Sequence, residues 1–98
     1  MPQPQPGKNW KPEAVLVQEL QAAAEQVTVG AHYAHFRHPE QHYTVLDIIW
    51  DTTAEEPAVL YKGEYGAQLI FCRPVSIWLE MVAWQGQTVP RFTKVSGK

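Results

Sequence analysis

The spacing of apolar positions changes once along the chain, near Gly30. Before it, Leu16, Leu20, Ala23, Ala24 and Val27 recur at three- and four-residue intervals, with Val17 at their margin. Gln18, Glu19, Gln21 and Glu25 occupy the remaining positions. This period describes one face of a helix. Pro12 suits a first helical turn, where its missing N–H costs nothing, and Glu13 complements the positive helix end. The pattern predicts a helix over 12–27, whose narrow, small-residued face packs on a sheet or on a partner.

After Gly30 the pattern shortens to strand spacing. Expected strands cover 31–37, 43–51, 58–65, 68–73, 79–84 and 88–95. The polar residues around Pro39, residues 52–57, Gly66 and Gln85-Gly86-Gln87 punctuate them as turns. Gly63 falls inside the third strand and predicts a bulge or a close approach there. Pro74 ends the fourth strand, and 75–78 predicts one tight helical turn. Pro90 is tolerable in a final edge strand. The sum is a mainly β chain, with five or six antiparallel strands forming a small barrel or strongly coiled sheet, and one added N-terminal helix.

A chain of 98 residues, 45% hydrophobic and 18% charged, is expected to form one domain. Residues 1–9 alternate Pro and Gln before Gly7-Lys8-Asn9, so 1–11 is read as a disordered or loosely docked tail. Residues 12–98 are the single domain, with the helix over 12–27 and the barrel over 30–95. Four Trp, four Tyr and three Phe give this small domain large apolar side chains to bury.

The formal net charge is −2 and no Lys/Arg cluster occurs, so no nucleic-acid partner is expected. Cys72 is alone; it is expected to be a buried, inert thiol and to fit a reducing compartment. The N-terminus has no charged region followed by an apolar run, and no apolar run is long enough to cross a bilayer. The expectation is a soluble cytoplasmic protein that does not associate with membranes.

An ordered set of short motifs runs through the β region. Gly30-x-x-Tyr33-x-His35-Phe36 is followed by Tyr43-x-Val45-Leu46, Val59-Leu60-Tyr61, Tyr65-Gly66, Arg73-Pro74 and Val89-Pro90-Arg91-Phe92. Over residues 29–95 this set resembles the small bacterial family known as domain of unknown function 1653. The resemblance implies a small SH3-like barrel and assigns no chemistry. Family members carry His-Ser/Thr-Glu-Thr after the second strand, where this chain has Asp51-Thr52-Thr53-Ala54. An activity needing that histidine is therefore not expected here. The helix lies outside the resemblance.

His32, His35, His38 and His42 fall within eleven residues. Alternation puts His32 and His35 on opposite faces, while His38 and His42 flank the expected turn at Pro39 and could approach one another. This spacing is undemanding, and neither a metal nor another cofactor is expected. His35 shares a strand face with Tyr33 and Arg37, opposite Phe36; it is read either as a structural hydrogen-bonding residue or as a titrating site residue. Arg73 is a fork for a carboxylate or phosphate, or else the partner of Glu64 or Glu80. Tyr61 and Tyr65 share one face and permit a ring pair; they are core residues or the wall of a groove. His35, Tyr61, Tyr65 and Arg73 are the candidate ligand-binding residues, expected to converge beside a surface groove that takes a peptide segment or a small anion. Two further readings are a homodimer built through the helix or a strand edge, and an enzyme using His35 as base with Arg73 holding an anion. The enzyme reading is the weaker, because no second catalytic group can be placed beside them.

Overall fold

The computed structural model describes residues 11–95. Helix α1 spans Glu13–Gln26. The Pro12 carbonyl accepts the N–H groups of Val15 and Leu16 at 3.0 and 3.2 Å, and the Val27 N–H closes the last turn on Ala23 at 2.9 Å. Ala23 and Val27 are buried and Leu16 and Leu20 half-buried, whereas Ala24 is exposed, so the packed face is narrower than its period predicts. Lys11, read as part of the tail, is anchored: its Nζ donates to Glu19 at 2.9 Å and lies 5.2 Å from the Trp50 ring centroid. The rest of the expected tail lies outside the described residues.

The β region has strands β1 (His32–His35), β2 (His38–Asp51), β3 (Glu56–Gly63), β4 (Ile70–Pro74), β5 (Met81–Trp84), β6 (Gln87–Pro90) and β7 (Phe92–Lys94), with a single helical turn α2 (Val75–Trp78) after β4. Among the described residues they form a five-stranded sheet in the order β4-β3-β2-β1-β7 and a separate β5–β6 hairpin, all antiparallel. The mainly β chain with an N-terminal helix is what the spacing predicts.

Most strand ends shift by one or two residues, and two departures are larger. The expected last strand is two strands, because Arg91 steps from one sheet to the other: its N–H bonds Glu80 at 2.9 Å and its carbonyl accepts the Phe36 N–H at 3.0 Å. The first turn falls at Phe36-Arg37 instead of Pro39, so His38 and His42 do not flank a turn but lie on β2. His35 pairs with His38 and Ala34 with His42, and the residues between are absorbed in an irregularity where Pro39 removes no ladder bond. The hairpin turn is as expected, with Gln85 and Gly86 both at positive φ, the two-residue form that matches strand twist.

One cluster forms the core. Ala23 and Val27 of the helix meet Tyr33, Val45, Val59 and Tyr61 of the sheet, and Val75, Trp78 and Phe92 close it. Trp78 and Phe92 stack with ring centroids 3.7 Å apart. Gly63 is the close approach expected of it, since a Cβ there would stand 3.0 Å from the Tyr65 ring. Among the described residues no helix is long and apolar enough to cross a membrane.

Candidate functional site

The β3–β4 register sets Tyr61 opposite Phe71 and Val59 opposite Arg73, which turns Arg73 toward the core side of the sheet. There its Nε donates to the Tyr61 hydroxyl at 3.3 Å, and the guanidinium lies 5.5 Å from the Phe92 ring centroid. Neither expected carboxylate pairs with it. Glu80 holds Arg91 at 2.6 Å, and Glu64 accepts the Thr44 hydroxyl on the opposite face. Among the described residues Arg73 is in no salt bridge.

His35, the last residue of β1, pairs with Phe92 of β7. Its ring meets Phe92 edge-on at 5.1 Å and Phe36 at 4.6 Å. Phe36 is in the turn and not across the strand from His35, which is why the two rings touch. The Arg37 N–H donates to His35 Nδ1 at 3.2 Å, so the histidine braces the turn. Burial holds its pKa below 6.5, and the charges of Arg73, Arg91, His38 and Arg37 push in the same direction. Phe92 is thus a common platform: Arg73 lies over it and His35 against its edge.

The two tyrosines part company. Tyr61 is a buried core residue of which the hydroxyl reaches Arg73. Tyr65 lies beyond the end of β3, and its ring partner is Tyr43, not Tyr61; the two hydroxyls are 2.8 Å apart. Tyr43, which the sequence reading passed over, stands edge-on to Tyr61, Tyr65 and Phe92. Burial, then the Tyr65 hydrogen bond, pushes its phenol well above the ordinary range, and Arg73 partly opposes them. Its signal was present in the sequence: alternation from buried Val45 puts Tyr43 on the core side. Two arginines extend the basic rim. Arg37 lies 5.8 Å from both the Phe36 and Trp84 rings, and the Nε of Arg91 is buried and meets no hydrogen-bond partner among the described residues.

The other face of the sheet carries a second polar row. His32 Nδ1 is 3.0 Å from Thr44 Oγ1, which donates in turn to Glu64. His32, His42, Glu64 and Val95 line a hollow of about 390 Å³ there. A second hollow, of about 410 Å³, lies between α1, β3 and α2. Neither is lined by His35, Tyr61, Tyr65 or Arg73, so the Arg73 patch is distinguished by its chemistry and not by depth. Among the described residues no group of three His, Cys, Asp or Glu side chains is placed to hold a metal ion. Cys72 is exposed, contrary to expectation, because nothing among the described residues covers its side of β4.

Residues 31–94 match the family model described as protein of unknown function (DUF1653). The chain belongs to this family. It is similar to a solved structure described as a protein belonging to DUF1653 from Bordetella bronchiseptica, with 29% identity over 71% of this chain and 90% of that one and a TM-score of 0.61. Comparison with curated proteins gives no match. Helix α1 lies outside the family match.

Proposed function

We propose that this protein is a binding module that takes an anionic group, a carboxylate of a small molecule or of a peptide segment, at Arg73. The observation that carries the reading is a half-buried guanidinium that spends one N–H on Tyr61 and meets no carboxylate among the described residues. A half-buried cation that meets no carboxylate is costly, and a two-pronged acceptor suits its fork. His35 fits the same ligand. Because the Arg37 N–H can only donate, Nδ1 of His35 accepts, and the neutral ring carries its proton on Nε2. The patch therefore offers donors from Arg73 and His35 to a ligand that only accepts. The same tautomer argues against His35 as a general base, since its free nitrogen already holds a proton. Phe36 and Trp84, both half-buried, supply flat walls of the kind along which SH3-like barrels hold extended peptides.

Amide and side-chain NMR titrations with acetate, inorganic phosphate and short acetylated peptides ending in a free carboxylate test this. Saturable shifts at Arg73 Nε and His35 are expected, strongest for the carboxylates, and Arg73→Ala removes them without unfolding the chain. Absence of shifts at these positions with every anion, or loss of folding in Arg73→Ala, rejects the reading.

A further inference from the structure

We propose that β4 is a self-association edge: two copies of this chain join antiparallel through Ile70 and Cys72, about a two-fold axis at Phe71, into one continuous sheet. The inference stands apart from the anion site. Strand β4 ends the five-stranded sheet. The Gly63 N–H bonds the Leu69 carbonyl at 3.0 Å, which fixes the alternation. The backbone groups of Leu69, Phe71 and Arg73 point to β3, and those of Ile70 and Cys72 point outward. Among the described residues β4 pairs with β3 alone, and those outward groups meet no backbone partner. Leu69 and Ile70 are 59% and 60% exposed, and Cys72 is exposed.

Proteins guard open edges with charge, brevity or proline. The opposite edge, β7, is three residues long and carries Lys94. From Ala67 to Cys72 the β4 edge has no charged residue, and only Pro74 limits its length. That neutrality favours a second copy as the occupant. An uncharged segment meets its own copy without repulsion, whereas it offers nothing to select a charged peptide. A two-fold centred on Phe71 also sets Ile70 opposite Cys72 of the partner subunit, so that each outward N–H and carbonyl finds its complement. Such an interface is isologous and closes at two copies.

Sedimentation equilibrium of the full 98-residue chain is expected to give a dimer. Ile70→Lys, at an exposed side chain, is expected to give a monomer with unchanged circular dichroism and melting temperature. Ile70→Cys tests the register. Directly opposed hydrogen-bonded residues lie about 5.5 Å apart at Cα, within disulfide reach. Mild oxidation should give a disulfide-linked dimer that adding Cys72→Ser abolishes. A parent chain that stays monomeric at high concentration overturns the proposal, as does a dimer that survives Ile70→Lys, or an Ile70→Cys chain that does not link. Dimerisation that begins only when residues 1–10 are deleted also overturns it, since the edge would then belong to the chain's own N-terminal segment.

Discussion

The aromatic cluster has two ends built from the same kinds of side chain. At the inner end Trp78 touches Tyr33, Tyr61 and Phe92 at centroid distances of 5.3, 4.9 and 3.7 Å, all buried, with no cation over the indole among the described residues. At the rim, Phe36 and Trp84 face Arg37, and His35 and Arg73 meet at Phe92. Rings alone do not separate a core from a binding surface. What separates them is the company they keep: the inner rings are at most 7% exposed, while the outer ones lie beside Arg73 and Arg37, which are in no salt bridge among the described residues. Phe92 belongs to both ends, so the candidate site rests directly on the core.

The comparison breaks most visibly at the inner end. Trp78→Ala should cost about 3–5 kcal/mol of stability, the usual loss for deleting a buried ring. Urea denaturation measures it. A loss under about 1 kcal/mol would mean that the cluster does not hold the fold together.

Arg73→Ala should show the reverse. Stability is expected to stay within about 1 kcal/mol, while carboxylate affinity falls at least about tenfold, or roughly 1.4 kcal/mol. Arg73→Lys should restore charge but not the fork, and so recover only part of the affinity. Titration calorimetry beside thermal melts separates the two quantities. Equal binding by Arg73→Ala and the parent would return the rim to the status of an ordinary surface.

How much of this was legible beforehand follows the same divide. Apolar period identified the helix and the strand-rich region, because local spacing and burial agree there. Residue type alone suggested grouping Arg73 with His35 and a tyrosine; the contacts themselves, Arg73 on the Tyr61 hydroxyl and both Arg73 and His35 against Phe92, depend on strand pairing that no local pattern states, and Arg73 lacks the carboxylate partner that the sequence offered in Glu64 or Glu80. Alternation also put Cys72 on the correct side of its strand. It could not say that this side of an edge strand goes uncovered, since coverage depends on elements far along the chain. Pro39 misled because proline usually breaks a strand, yet here an irregularity in β2 accommodates it. Tyr65 left its expected face because β3 stops at Gly63, where a side chain would crowd the Tyr65 ring. The step at Arg91 is likewise non-local, since it is set by Glu80 and Phe36.

A smaller effect sharpens the boundary between the two ends. Tyr65→Phe removes the hydroxyl that meets Tyr43 and leaves a half-buried phenol short of a partner. The expected cost is about 1 kcal/mol. The Tyr43 phenol should also titrate nearer its ordinary range while staying above it, because burial, the larger cause, persists. Ultraviolet titration of tyrosinate follows this. An unchanged Tyr43 titration would mean that the hydroxyl pair contributes nothing.

The last and smallest effect is a pH dependence at the rim. His35 has a folded pKa below 6.5, so between the two values the unfolded chain binds more protons than the folded one. Its contribution to stability is therefore fully present above pH 6.5 and is lost as the pH falls through the folded pKa. The ring is only half-buried, so solvent screens the effect and it stays modest. The groups acting on it are Arg73, Arg91, His38 and Arg37, all cationic or able to become so. A bound carboxylate adds the missing negative charge, which should raise the His35 pKa and make binding tighten as the pH falls through that raised value, levelling off below the free folded pKa. His35→Gln keeps an N–H donor without the titration, so it should flatten both profiles while leaving some binding at neutral pH. NMR titration of the His35 ring with and without acetate reads the shift directly. If acetate leaves that titration unmoved while still binding, His35 only braces the turn at Arg37, and the anion is held by Arg73 without it.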